Sequence, residues 1–555
     1  MDRIIGIDLG TTNSLVAVLD SGLPKVLPLE DGSLLMPSVV GWDDERGLLV
    51  GAPARNRYLL YPEMTVRSVK RHMGDAGWSV RLGGDRYDAP AVSARILERL
   101  RQAAAAHLGA VSKAVITVPA YFGDPERRAT IEAGKQAGLD VVRILNEPTA
   151  AAMAYTLMGA EDQKVLVYDL GGGTFDVSLV EVSGGVCEVL ASHGNRQLGG
   201  DDFDRRLVDH LADRFASAEG IDLRQDRVAM ARLYDAAERA KILLSTEGVT
   251  RVREEFVAVE GGKPRHLDME VSRQEFEAMI RPLLETTRTS VRTVLAQAHV
   301  APKEVARVLL VGGSTRIPAV VELLAEEMGT APHHEIHPDQ AVALGAAVLA
   351  GTIAGEAVGV YLVDVSSHSL GVAALGDDDR LEFAPILARN SVLPVSKSRL
   401  FYTVHPWQEE VRIRVYEGEA RALEANTLLG ELEVMRLSPM PDPTLPREVL
   451  VRFDYDLNGT LSVTASDRRS RRKVKAVFQP SEAGGEPATL PPHALELWRR
   501  LQEVCARDGL AAEVRARGRG LMEEARSLVP GAAEAWAEQA AALLYEHGED
   551  PSEET

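Results

Sequence analysis

The chain has 555 residues, too long for one hydrophobic core, so ~2–4 domains are expected. Apolar residues make up 45% and charged residues 26%, an ordinary globular balance, while a net charge of -20 argues against a nucleic-acid surface, which needs clustered Lys and Arg. Two cysteines, Cys187 and Cys505, do not make a disulfide framework and point to a reducing, cytoplasmic compartment.

Met1 leads almost directly into an apolar run, so no signal peptide is expected. IIGIDLGTTNSLVAVL, Ile4 to Leu19, reads as strand, turn and strand, the turn carrying Asp8, Gly10, Thr11, Thr12 and Asn13. VRSVKRHMG then sets Lys70 in mostly apolar surroundings, where a lysine taken alone reads as a solvated charge. Ser93 to Leu108 has helical periodicity, Ala114 to Phe122 reads as a buried strand interrupted by Pro119, and Arg127 to Gly138 reads as a helix. In RILNEPTAAAMAY, Asn146, Glu147 and Pro148 precede an alanine-rich helix; by position alone Glu147 does no more than favour the helix dipole.

VLVYDLGGGTFDVSLV, Val165 to Val180, repeats the first plan, with Asp169 entering a turn of Gly171, Gly172 and Gly173 and Thr174 leaving it. Glycines let backbone N–H groups approach a phosphate that a Cβ would obstruct, and a carboxylate beside such a nest is where a hydrated Mg²⁺ would sit. One glycine hairpin is commonplace; two of the same plan suggest two lobes that share one nucleotide. QLGGDDFDRRLVDHL opens a helix through Gly199 and Gly200. In DAAERAKILLS, Glu238, Lys241 and Ser245 share one helix face, which by spacing alone is a solvated face. VLLVGGSTRIPAVVELL gives a third backbone-exposing loop at Gly312 and Gly313, and Asp339 starts a further helix. The apolar run Ala341 to Gly355 is too short to span a bilayer and reads as a buried helix.

Up to about Glu356 the pattern is α/β. VYLV, Val360 to Val363, is then a short apolar segment ending at Asp364, and strands and turns dominate to about Gln479, with Asn458 and Gly459 as a hairpin turn. A Pro, Gly and Ala-rich stretch follows, then helical segments and an acidic end.

The motifs GIDLGTTNS, VITVPAYF, NEPTAAAMAY, YDLGGGTFDVS, LGGDDFD and VGGSTRIP, in this order, resemble those of the seventy-kilodalton heat-shock chaperones of the DnaK type. DVSSHSLGVAAL, PILARNSVLP and FDYDLNGTLSVTASD carry the resemblance to about residue 480. It implies a multidomain chain: an actin-like α/β ATPase domain over 1–356, an interdomain linker over 357–364, a β-sandwich that binds peptides over 365–480, a second linker over 481–492, a short helical lid over 493–548 and an acidic tail over 549–555.

The resemblance also implies roles. Asp8 and Asp169 would hold Mg²⁺ largely through its waters, with K⁺ a further candidate ion, and Lys70, Glu147, Asp169 and Thr174 would surround the γ-phosphate and the attacking water. ATP would contact Asp8, Gly10, Thr11, Thr12, Asn13, Gly171, Gly172, Gly199, Gly200, Glu238, Lys241, Ser245, Gly312, Gly313, Ser314, Arg316 and Asp339. Pro119, Arg127, Val360, Leu362 and Asp364 would relay nucleotide state to the second domain. There Val372, Phe401, Val411 and Ile413 match a peptide cleft arched over by Leu375 and Val404, each of which could equally be sandwich core. Thr460 stands where a bulky aliphatic residue would floor that pocket. The implied partners are unfolded or nascent polypeptides, a J-domain cochaperone and a nucleotide exchange factor, with no nucleic acid and no membrane. A sugar or acetate kinase would need no sandwich, and an actin-like filament protein would polymerise with ATP. A specialised paralogue dedicated to one client fits the short lid.

Overall fold

Ile4–Asp8 and Asn13–Asp20 are apolar along nearly their whole length, as strands covered on both faces must be, and they pair antiparallel with Asp8 opposite Leu15. Gln163–Leu170 and Phe175–Ser183 form the second such hairpin, with Asp169 opposite Asp176. Each hairpin takes a parallel neighbour on its first strand, Lys113–Val118 for the one and Arg307–Val311 for the other, and an antiparallel third strand on its second, Leu23–Val26 and Val186–Asn195. The two central sheets therefore share a strand plan.

The computed structural model describes residues 3–159, 162–260, 263–333, 337–356, 358–376, 380–470, 472–477 and 497. Met1–Pro480 form one compact unit. The expected second linker, helical lid and acidic tail lie outside the described residues, Leu497 apart. Among the described residues no helix is long and apolar enough to cross a membrane.

Two alanine-rich helices, Glu147–Leu157 and Ala341–Ile353, pack in one core with the flanking strands: Ala150, Met153, Val165, Val180, Ala346 and Leu349 are all buried there. The helices approach so closely that a Cβ on Gly345 would overlap the Ala150 backbone. Helix starts are fixed locally: Asp88 accepts the Ala91 N–H at 2.8 Å, and Ser272 forms a capping box with Glu275. The strand expected over Ala114 to Phe122 with an interruption at Pro119 ends at Val118 and does not resume, because proline offers no N–H to the next rung, and the helix that follows begins at Asp124.

Beyond Asp364 two four-stranded antiparallel sheets face each other. Leu381–Leu387, Leu370–Leu375, Val411–Glu417 and Thr427–Val434 make one; Val395–Tyr402, Glu448–Tyr455, Leu461–Asp467 and Lys473–Val477 make the other. Leu370, Val415, Leu432, Phe453 and Val463 fill the space between them. The turn at Asn458 and Gly459 is wider than the two-residue hairpin expected: Tyr455 pairs with Leu461, and Asp456 holds the loop by accepting the Asn458 and Thr460 N–H groups, each at 2.9 Å.

Candidate active site

The two hairpin turns and the third glycine loop converge on a cavity of about 480 Å³. They touch one another: a Cβ on Gly172 would overlap Thr12 Oγ1, so only glycine lets the second turn close on the first. Gly312 has φ 82° and lies against the Leu170 carbonyl, and Ser314 Oγ donates to the Gly171 carbonyl at 2.9 Å, which seats the third loop on the second.

Of the residues expected to contact nucleotide, all line this cavity except Gly199 and Gly200. Those two brace it from behind, where the Gly200 N–H donates to the Gly171 carbonyl at 3.0 Å and the Asp201 N–H to that of Gly172 at 2.7 Å.

Lys70 is 4% exposed and paired with Glu147 across the cavity, so neither solvated charge nor dipole partner describes them. Burial pushes the Asp8 carboxyl up from its ordinary range, with the Glu147 charge adding to it and Lys70 offsetting part. Asp169 is pushed well up by burial and then by Glu147, Asp176 and Asp8. One buried ammonium thus faces several carboxylates, and Thr174 sits beside them. Among the described residues no three His, Cys, Asp or Glu side chains cluster tightly enough to enclose a metal ion. Mg²⁺ does not need that: it takes one or two carboxylates and completes its shell with waters and phosphate oxygens. The hard-oxygen, electron-rich set of Asp8 and Asp169 fits it.

At the far end, the Glu238, Lys241 and Ser245 face turns into the cleft rather than to solvent. Lys241 pairs with Asp204 at 2.8 Å and Arg316 with Asp339 at 2.8 Å. A set of contacts missed in the sequence closes the cleft from opposite sides: Arg67 to Glu238 at 2.9 Å, Ser68 Oγ to Asp201 at 2.6 Å and Arg71 to Asp202 at 3.1 Å. The doubled aspartate in LGGDDFD and the basic run around Lys70 were the available signals, but nothing local matches one to the other.

The apolar segment expected as a linker is a strand. Tyr361–Val363 adds parallel to the edge strand Val186–Asn195, with Leu362 opposite Cys187, and Val360 is buried beside it. Asp364, also buried, accepts both Asn146 Nδ2 contacts, at 2.9 and 3.1 Å. Asn146 Oδ1 in turn accepts from Arg127 at 2.7 Å, and Arg127 also donates to the Phe122 carbonyl at 3.0 Å, in the loop that Pro119 opens. Asn146 immediately precedes Glu147, so a continuous path joins the linker to the Lys70 pair.

The sandwich packs on the same face. Leu461 N–H donates to Asp124 at 2.8 Å, Arg128 donates to the Leu461 carbonyl at 2.7 Å, and Ile144 N–H donates to Asn458 Oδ1 at 3.1 Å. Thr460 therefore does not floor a peptide pocket: it sits in the docking turn, at the opposite end of its sheet from Phe401, whose strand partner is Val449. Of the expected cleft residues, Val372 and Ile413 are buried in the sandwich core, Phe401 and Val411 are half-buried against it, and Leu375 and Val404 are exposed.

A family model described as Hsp70 protein matches residues 4–80 and 74–489. Chaperone protein DnaK of Thermotoga neapolitana is 46% identical over 482 residues, covering 85% of this chain and 80% of that protein. The proteins of the same name from Thermotoga petrophila and Thermotoga maritima align with the same figures. With two hairpin turns, a third glycine loop and a buried Lys–Glu pair around one cavity, the chain belongs to the Hsp70 family.

Proposed function

We propose that this Hsp70-type ATP-dependent chaperone uses the cleft between its two hairpins to control a peptide-binding sandwich through the strand at Tyr361–Val363. In this reading 1–356 is an actin-like ATPase domain, 357–364 the linker, 365–480 the sandwich and 493–548 a lid. The protein works in the cytoplasm on unfolded or nascent chains, with a J-domain cochaperone and an exchange factor.

ATP phosphates lie against the turns at Gly10–Asn13 and Gly171–Thr174, whose N–H groups and hydroxyls neutralise charge without reorganising. Asp8 and Asp169 would hold Mg²⁺, largely through its waters, and the ion would supply further charge stabilisation to the phosphates. Lys70, fixed by Glu147, places its ammonium where charge develops on the transferred phosphoryl oxygens, and Thr174 orients the γ-phosphate. Phosphoryl transfer needs positioning and neutralisation more than a strong base, which suits a site of one lysine and a carboxylate.

The observation that carries the coupling is the bonded path from Asp364 through Asn146 to Glu147. ATP in the cleft favours the docked linker and sandwich; after hydrolysis they separate and the peptide is trapped. Release of a fluorescent apolar peptide tests it: ATP should accelerate release strongly in the parent and not in Leu362→Asp. Equal release with and without ATP in the parent would remove the coupling.

A further inference from the structure

The face on which the sandwich meets the ATPase lobes buries more charge than its ion pairs match. Glu417 ends the strand Val411–Glu417 and is 6% exposed, its carboxylate lying against the start of the helix Asp124–Gln136. The described residues give that carboxylate one hydrogen-bond donor, the Asp124 N–H at 3.2 Å.

Each nearby guanidinium is engaged elsewhere. Arg196 pairs with Glu126, Arg128 with Asp124 at 2.5 Å, and Arg127 with Asn146 at 2.7 Å. Arg389 donates to the Ser192 carbonyl and lies over the Tyr121 ring at 5.6 Å. Facing Glu417 from the helix are instead two carboxylates, Glu126 and Asp124. From the sandwich come His368, its Nδ1 at 3.6 Å, and the buried phenol of Tyr455. Tyr121 packs between His368 and His193, with ring centroids at 4.3 and 5.4 Å.

A carboxylate buried among like charges, with no cation of its own, is stable only when neutral. We propose that docking of the sandwich on the ATPase lobes binds a proton at Glu417, so that its carboxyl is the proton-carrying contact of the docked state. The proposal rests on the coupling reading above. The step is a simple protonation: solvent supplies one proton to the carboxylate as the faces close, and takes it back as they part.

Burial, with the Glu126 charge adding to it and the Asp124 N–H and the Arg196 charge offsetting part, pushes Glu417 up to about 8. Burial and then Arg389 hold His368 well below its ordinary value and His193 down to about 4. With the faces apart, a carboxyl and imidazoles in water titrate near ~4.3 and ~6.5. The signs follow. Above about pH 6.5 Glu417 takes up a proton on docking while the histidines release part of one, so net uptake peaks at about half a proton near pH 7.5, the docking constant falls by about threefold per pH unit, and well above 8 it levels off. Below about 6.5 the two histidines, charged when free and neutral when docked, must shed protons, and docking weakens again. Docking is strongest near pH 6.5.

The full chain tests this with Thr174→Ala to keep ATP intact, Cys505→Ser, and a donor–acceptor dye pair at Asp213→Cys and Glu433→Cys. The parent should lose docking about threefold from pH 7 to 8, and Glu417→Gln should abolish that loss. A parent flat over this range, or a slope unchanged in Glu417→Gln, overturns the proposal. Dyes that ATP brings together at no pH overturn the coupling reading and the proposal with it, so the two failures are distinguishable. Proton uptake on adding ATP at pH 7.5, read with an indicator dye in weak buffer, gives a check free of Glu417 variants. The parent should take up about half a proton more than Leu362→Asp, whose linker cannot dock; equal uptake overturns the proposal.

Discussion

Lys70 illustrates how much a single residue's role depends on partners far away in sequence. Nothing around it distinguishes a buried ammonium from a solvated one, and Glu147, its partner, lies beyond two helices and four strands. Only the resemblance of the surrounding motifs assigned it. Removing the ammonium leaves Glu147, Asp8 and Asp169 facing one another without a protein cation. Lys70→Ala should therefore lower single-turnover ATP hydrolysis by ~10²–10³-fold, as loss of one preorganised charge-stabilising group typically does, while nucleotide still binds to the intact turns. Quench-flow hydrolysis alongside equilibrium binding separates the two; hydrolysis near the parent rate would remove Lys70 from the chemistry.

Among the elements, the hairpins were legible because a strand buried on both faces and a glycine turn are local facts. The strand at Tyr361–Val363 was not: three or four apolar residues specify pairing only once the open edge of Val186–Asn195 is in place. The cross-cleft contacts escaped for the same reason, since Arg67 and Glu238 sit on separate elements far apart in sequence that meet only in the folded chain. Those contacts must break before a bound nucleotide can leave. A hydrogen bond to a charged group contributes about 1.5–3 kcal/mol. Arg67→Ala should accordingly speed dissociation of a fluorescent nucleotide by at least ~10-fold in stopped flow, with Ser68 to Asp201 and Arg71 to Asp202 holding the remainder.

Within the compact unit Met1–Pro480, an α/β part and a β-sandwich meet through hydrogen bonds and buried charge, such as those of Asp124, Arg128 and Glu417. None of this was legible in sequence, where Asp124, Glu417 and His368 carried no role of their own, Asn458 read as a hairpin-turn residue and Thr460 stood at the floor of a pocket. An interface of this composition suits reversible contact. Arg128 is its clearest donor from the ATPase side, reaching the Leu461 carbonyl at 2.7 Å. Arg128→Ala should reduce ATP-accelerated peptide release by roughly tenfold, the loss expected for one charged hydrogen bond, and by linkage weaken ATP binding as well; release at the parent rate would place the docking energy elsewhere. The added strand has one more consequence. When Tyr361–Val363 departs, Val186–Asn195 becomes a sheet edge with unpaired N–H and C=O groups beside an apolar core, a template for any extended chain nearby. A protein that works among unfolded polypeptides would then offer them a second place to adhere, on the lobe meant to power it. Where it pairs, the linker strand would shield Val186, Cys187 and Glu188 from those clients as long as it stays docked.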